Sequence, residues 1–247
     1  MSEKVEQINP FVGDKRAKHE QVRGMFNDIA PRYDVMNRLM SLGMDRSWRR
    51  ATVEMAAAEK PCAILDIATG TGDLAIQLAR TMTGAHVTGV DLSEGMIAAG
   101  RRKVADAGLQ DRVDLRNADA LALPFADNSF DVITVAFGVR NFEHLDAGYA
   151  EMHRVLRPGG LLLVLELTPP ASAVVRPFYR LYTRGVIPAV GRMVSGSSRA
   201  YAYLPESIEA VPARGAMTAL MDAAGFADTA FRSFTMGVCT LYHGRKS

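Results

Sequence analysis

Between Ile64 and Ala75 the sequence reads ILDIATGTGDLA, and the residues there with chemical potential are two glycines and the four aspartates and threonines around them. A strand that turns at once into a helix needs glycine where its backbone passes close to a ligand, because a side chain would occupy the ligand's space. Gly70 and Gly72 supply that clearance. The pattern Gly70-x-Gly72-x-x-Ala75 also satisfies the dinucleotide fingerprint, with Asp91 near the expected distance, so the loop alone leaves two ligand classes open. Asp73 separates them, because it stands at the start of the helix where a dinucleotide would place its pyrophosphate. A carboxylate there repels phosphate but tolerates a cationic ligand such as a sulfonium bearing an ammonium group. Asp66 adds a second negative group upstream. The plainer account is a packing turn followed by an acidic helix start.

Two more positions extend the site. Asp91, ending VTGVDLS, is placed at a strand terminus to accept hydrogen bonds from both hydroxyls of a ribose. It could instead cap the next helix, although Ser93 can perform that task. Asp119 and Ala120 could bracket an adenine, the carboxylate accepting from the exocyclic amine and the small alanine leaving room for the ring; an ordinary loop aspartate is the alternative.

Elements must hold these residues in place, and short apolar runs alternate with helical patterns as in a parallel sheet covered by helices. The runs predict strands at Ile64 to Ala68, Val87 to Val90, Val113 to Arg116, Val132 to Phe137 and Leu161 to Leu165. Helical spacing links Leu74, Ala75, Leu78, Ala79 and Met82, and a second helix covers Met96 to Ala107. Leu145, Tyr149, Met152 and Leu156 share one helical face, with Pro158-Gly159-Gly160 as its stop. Met217, Leu220, Met221 and Ala224 predict a last helix ending at Gly225. Ala230 to Phe234 and Val238 to Tyr242 then close the chain as a hairpin around Met236-Gly237. The fold class expected is α/β, a doubly wound, mostly parallel seven-stranded sheet with one antiparallel closing strand, a helical lid and a helical insertion.

Composition limits the function classes. With 247 residues, 48% hydrophobic and 23% charged, one sizeable core is expected. A net charge of +2 gives no bulk attraction to nucleic acid. Cys62 and Cys239 have no partner at metal-ligand spacing, so neither a zinc site nor a disulfide framework is indicated. Met1 to Asn9 carries Glu3, Lys4 and Glu6, unlike the apolar core of a secretory signal. The longest apolar run, Leu161 to Leu165, is far short of a bilayer span. A cytoplasmic chain is expected, touching membrane only peripherally at its inner face.

Several segments taken together carry a family resemblance: MFNDIAPRYDVMNRLMSLGMDRSWRR, DIATGTGD, DALALPFADNSFD, FGVRN, RVLRPGG and YAYLPESI through GFADTAFRSFTMGVCTLYHG. The chain resembles a class I methyltransferase and, more narrowly, the ubiquinone/menaquinone-biosynthesis C-methyltransferase family, over nearly its whole length. The resemblance implies S-adenosyl-L-methionine as cofactor, bound by Thr71, Asp91, Asp119 and Ala120. It implies C-methylation of demethylmenaquinol in menaquinone biosynthesis, of the corresponding benzoquinol in ubiquinone biosynthesis, or of both. Many relatives have Ser where Ala136 stands, so a side-chain contact is absent or replaced there. A nicotinamide-dependent oxidoreductase survives only through the glycine pattern, and a non-catalytic binding protein through the fold alone.

The implied chemistry assigns further roles. Loss of a phenolic proton pushes charge onto ring carbon, which attacks the sulfonium methyl in line, so the protein must align the partners and stabilise that charge. Arg140 and Asn141, just beyond the fourth strand, are candidates to hold a quinol oxygen or a water; Arg140 stays protonated and stabilises charge. Tyr33 and Asp34, in a lid over the site, are candidates for substrate orientation or proton removal, or else belong to a capped and packed helix. His144 and His153 are expected at the surface and receive no role.

The division expected is an amino-terminal lid over residues 1–50 and a methyltransferase domain over 51–247, with an insertion at about 168–205. From Thr168 to Pro205 there is no Asp or Glu, while Arg176, Arg180, Arg184, Arg192 and Arg199 are interleaved with Phe178, Tyr179, Leu181, Tyr182, Val186 and Ile187. Arg176, Arg180 and Arg184 would form a basic stripe on a helix suited to an anionic membrane surface, until Pro188 interrupts it. A solvated arginine face over packed aromatics is the equal alternative. The partners expected are a prenylated quinol, a transiently met membrane surface and a second copy of the chain, with no nucleic acid.

Overall fold

The computed structural model describes residues 6–11, 13–187 and 199–247, with side chains from Tyr203 onward in the last stretch. Glu3, Lys4, Pro188, Arg192 and the Arg199 side chain lie outside the described residues. Seven strands form one sheet: β1 (Ala63–Ile67), β2 (His86–Asp91), β3 (Val113–Asn117), β4 (Phe130–Ala136), β5 (Leu156–Leu167), β6 (Phe226–Phe234) and β7 (Cys239–Lys246). Their order is β3-β2-β1-β4-β5-β7-β6. The first five run parallel, and β7 lies antiparallel between β5 and β6.

Residues alternate faces along a strand, so a strand buried on both sides must be apolar throughout. In β5, Leu161, Leu163 and Leu165 join one core layer with Trp48, Leu74 and Leu78. Leu162 and Val164 join the opposite layer with Tyr149, Met152 and Tyr242. Helices α3 (Asp45–Ala58), α4 (Asp73–Thr81) and α5 (Glu94–Asp106) cover the first face. Helices α6 (Leu145–Val155) and α9 (Gly215–Ala223) cover the second. The lid consists of α1 (Lys18–Ile29) and α2 (Tyr33–Met40), and α3 runs unbroken through residue 50 into the sheet domain. In the insertion lie α7 (Val175–Leu181), a wider π-helical turn over Tyr182–Val186, and α8 (Arg199–Ala210). Among the described residues no helix is long and apolar enough to cross a membrane.

Several boundaries differ from the sequence expectation. α6 ends at Val155, and Leu156 already pairs with Phe130 in β5. The stop acts earlier because Pro158 pushes the preceding residues toward extended conformations. The Pro158-Gly159-Gly160 segment then bulges from the strand, whose register shifts before Leu161 pairs with Val132. The strands expected to run through Ala68 and Phe137 instead end one residue sooner. Both residues adopt left-handed backbone, φ 53° and 60°, uncommon for residues with a Cβ and a marker of a constrained turn.

These turns meet where the strand order reverses between β1 and β4, the usual place for a ligand crevice in such sheets. A Cβ added to Gly138 would fall 2.5 Å from Ala68 Cβ and 3.1 Å from Val135 Cγ1. Gly138→Ala should therefore overpack the junction and lower unfolding free energy by about 1–3 kcal/mol. Urea denaturation checks this, and an unchanged midpoint would show that the junction yields freely.

Candidate active site

The loop after β1 is shaped by hydrogen bonds to two aspartates, Asp66 buried and Asp91 half-buried. Asp66, 1% exposed, accepts from Thr69 Oγ1 at 2.6 Å and from Thr134 Oγ1 at 2.7 Å. Its carboxyl therefore braces the turn from below. Asp91 accepts from the Gly70 N–H at 2.9 Å through Oδ2 and from the Ser93 N–H at 2.8 Å through Oδ1. Each oxygen retains acceptor capacity for a ligand hydroxyl. Burial pushes the Asp91 pKa up, and the backbone donors from Ser93 and Gly70 oppose that rise. Ser93 also caps α5, accepting from the Met96 N–H at 3.1 Å.

Gly70, Asp91, Asp119 and Ala120 line one cavity together with Tyr33 and Asn141. Asp119 turns its own loop by accepting from the Leu121 N–H at 2.9 Å through Oδ1. A cofactor cradle of this kind needs an open glycine, and Gly70 qualifies: an added Cβ would make only an ordinary contact with Tyr33 Cε1, at 3.7 Å. Gly72 does not supply ligand clearance as expected. Its φ is +78°, and an added Cβ would press on Leu115 Cδ1 at 3.3 Å, so glycine is required there for backbone conformation and packing.

Thr71 and Asp34 meet in a latch. Thr71 Oγ1 donates to Asp34 Oδ1 at 2.6 Å, and Lys103 Nζ donates to Asp34 Oδ2 at 2.7 Å and to Thr71 Oγ1 at 3.1 Å. Lys103 also pairs with Asp73. Two sequence expectations change here. Asp34 is occupied in fastening the lid, so its geometry does not suit proton removal from a substrate. Asp73 has a cationic neighbour, so its charge is partly neutralised and is weaker evidence against phosphate than its position alone suggested.

Beyond β4, Val139–Asn141 form a single 3₁₀ turn that buries Arg140. Its backbone N–H and Nη1 donate to the two oxygens of Glu166, at 3.2 and 2.8 Å, and Nη1 also donates to the Phe137 carbonyl. Burial alone would depress the Arg140 pKa; the Glu166 carboxylate, together with Tyr33 and Tyr203, outweighs it and holds the group above its ordinary value. A second, mostly apolar cavity of about 310 Å³ is lined by Arg140, Tyr33, Trp48, Phe137, Phe178 and Tyr179, among others. Tyr33 and Phe137 line both cavities and form the wall between them. Burial pushes the Tyr33 phenol pKa up, leaving it protonated at neutral pH. The insertion is tied to the lid across this cavity by Tyr182, whose hydroxyl donates to the Met40 carbonyl at 3.1 Å.

Residues 14–246 match the ubiE/COQ5 methyltransferase family. The chain belongs to that family. It is 45% identical over 241 residues to a demethylmenaquinone methyltransferase of Bacteroides fragilis, covering 98% of each chain. A demethylmenaquinone methyltransferase of Thermus thermophilus is 48% identical over 220 residues, 89% of this chain and 99% of its own. The ubiquinone/menaquinone biosynthesis C-methyltransferase UbiE of Geobacter sulfurreducens is 45% identical over 230 residues, 93% of this chain and 90% of its own. In fold the chain is similar to a SAM-dependent methyltransferase of Thermotoga maritima, with TM-score 0.66 and 17% identity over 91% of this chain and 99% of that one. Membership of a methyltransferase family removes the nicotinamide-oxidoreductase reading of the glycine loop.

The methyltransferase also departs from the sequence reading outside its cavities. Arg180 and Arg184 both pair with Glu209, at 3.3 and 2.6 Å, and Arg176 Nε donates to the Pro170 carbonyl at 3.3 Å. The stripe is therefore partly neutralised by an acid just beyond the acid-free interval. His153 is not at the surface as expected: it is half-buried, with its ring edge-on to Phe226 at 5.1 Å. His144 is exposed, as expected. Glu166 and Lys103 were missed, since neither lies in a motif and both act through residues distant in sequence.

Burial raises the Asp66 pKa to about 6, against the bonds from Thr69 and Thr134. Between the unfolded value of 3.8 and about 6 the folded methyltransferase binds the extra proton, so this group's contribution to stability falls as pH rises through that window. Asp66→Asn removes that component. The melting temperature of the wild type, relative to the Asn variant, should rise as pH is lowered from about 7 to about 5. A difference independent of pH would refute the raised pKa.

Proposed function

We propose that the enzyme methylates a ring carbon of a prenylated quinol, with demethylmenaquinol as the principal acceptor and the ubiquinone-pathway benzoquinol as the second. The single observation that carries this reading is that Arg140 lines a large, mostly apolar cavity that shares Tyr33 and Phe137 with the first cavity. A polar ring with an apolar tail needs that combination of a charged group and mostly apolar walls. The relatives named demethylmenaquinone methyltransferase support the same acceptor.

S-Adenosylmethionine supplies an electrophilic methyl group when bound. Asp91 accepts from the ribose hydroxyls, Asp119 and Ala120 bracket the adenine, and Gly70 and Thr71 form the loop beside it. Asp66 contributes by bracing that loop. Arg140, steadied by Glu166, offers fixed positive charge to a quinol oxygen, and Asn141 orients the same end of the ring. Tyr33 aligns the ring from the shared wall. This is preorganised electrostatic stabilisation, with no reorganisation required as charge develops.

The test is methyl transfer from S-adenosylmethionine to each reduced quinol, paired with complementation of strains blocked separately in the two quinone pathways. Turnover with neither quinol would refute the assignment. Asp91→Ala should weaken S-adenosylhomocysteine binding by at least about 1.5–3 kcal/mol, since it removes charged acceptors for the ligand and for the Gly70 loop together. Calorimetry showing unchanged affinity in a folded variant would remove Asp91 from the cofactor site.

A membrane surface is the partner that fits the rim of the apolar cavity, and the apolar side chains argue for it more strongly than the arginines. Val174, Phe178 and Leu181 are more than 70% exposed and share one face at helical spacing. Val35 and Leu39 are exposed on the lid helix and Leu42 in the turn after it, and Leu42, Phe178 and Met236 line the cavity itself. Contiguous exposed apolar surface of this kind marks an interaction site. Phe178→Ser combined with Leu181→Ser should reduce liposome binding and lower activity on long-tailed quinol relative to a short-tailed analogue. Wild-type liposome binding and an unchanged activity ratio would refute the membrane role. A homodimer covering the same faces would instead lose its concentration-dependent mass in this variant.

A further inference from the structure

Among the described residues, Arg140 Nε, Asn141 Oδ1 and Tyr203 Oη are buried polar atoms without a hydrogen-bond partner. All three residues line one small cavity of about 40 Å³. Orphaned buried polar atoms are costly and uncommon, and three around one space indicate a polar ligand atom. The space exceeds the roughly 10–15 Å³ that one water-sized group requires. Its position is also specific. Tyr33 lines this cavity and both larger ones; Asn141 connects it to the first and Arg140 to the apolar one.

The donor and acceptor types are complementary to a single hydroxyl oxygen. Arg140 Nε–H donates, Asn141 Oδ1 accepts, and the Tyr203 hydroxyl can do either. Tyr203 comes from α8, on the far side of the insertion, and is 4% exposed. We propose that Tyr203 is a catalytic residue that joins Arg140 in donating to one hydroxyl oxygen of the bound quinol and thereby makes that hydroxyl more acidic. The inference rests on the quinol reading and adds a donor to it. On ionisation the quinol O–H bond breaks, the oxygen keeps the electron pair, and the proton passes to buffer. Asn141 then turns its amide nitrogen toward the oxygen, an exchange of O and N that rotation of the amide permits. Burial pushes the Tyr203 phenol pKa far up, against the nearby Arg140 charge, so the phenol remains a donor.

The decisive variant is Tyr203→Phe, which removes only the orphaned hydroxyl. A merely structural role for that hydroxyl predicts a more stable protein with unchanged chemistry, because an unsatisfied polar group has been deleted. The proposal predicts a fall in kcat of about tenfold or more, with S-adenosylhomocysteine affinity unchanged. The second readout is the ionisation of a short-tailed naphthol, followed by the absorbance of its anion when bound to the cofactor-loaded enzyme. Its pKa should be lower when bound to wild type than in water, and should rise by about one unit in Tyr203→Phe, the equivalent of a tenfold change. Tyr203→His, which keeps a ring donor, should restore part of both effects and supplies a second folded variant. Wild-type kcat and naphthol pKa in Tyr203→Phe would overturn the assignment. A lowered kcat with an unmoved naphthol pKa would also overturn it, placing water and not the quinol hydroxyl in the cavity. If wild type binds no naphthol and turns over no quinol, the functional reading fails first and this one with it.

Discussion

A guanidinium and a carboxylate buried side by side fix the reacting end of this protein. Arg140 follows β4 and Glu166 lies within β5, so their pairing ties the ends of two adjacent parallel strands. Burying both charges is costly, and a pair of hydrophobic residues of similar volume could stabilise the fold as well or better. What the ionic pair supplies is position. Glu166 takes both the Arg140 backbone N–H and Nη1, which fixes the 3₁₀ turn and leaves the Nε edge directed away from the pair. The apolar cavity, the shared wall and the orientation of Asn141 all follow from where that turn lies.

The lid is held by equally specific chemistry of a different kind. At the Arg140 end the groups are buried and paired once; at Lys103 the groups are partly exposed and shared among Asp34, Thr71 and Asp73. Screened, partly exposed pairs contribute modestly to stability. The contrast matches their tasks, since the sheet end must stay fixed through turnover whereas a lid over a ligand must open.

Much of this architecture was legible in the sequence because it rests on local rules. Apolar runs located every parallel strand, and the spacing of Leu74, Leu78 and Met82 located the helix after the glycine loop. Strand ends were less legible. Ala68 and Phe137 leave their strands in left-handed backbone, which no local preference of alanine or phenylalanine announces. Gly70, Asp91, Asp119 and Ala120, far apart in sequence, line one cavity. Gly72 and Asp34 face elsewhere, because the partners that claim them, Leu115 and Lys103, belong to other elements. The arginine stripe was read from an interval without acids, but Glu209 reaches it from the next helix. Through-space pairing is the information that periodicity does not carry.

Tyr33 and Asp34 are neighbours in the chain, and this adjacency links the latch to the partition between the cavities. Asp34 is bound to the glycine loop through Thr71, while Tyr33 forms part of the wall facing the apolar cavity. A displacement of the loop is therefore transmitted through one peptide bond to the lining of the apolar cavity. By linkage, any preference that one occupant has for a particular loop position is returned as an equal preference felt by the other. Ligands held in the two cavities would then behave thermodynamically as occupants of a single, communicating receptor.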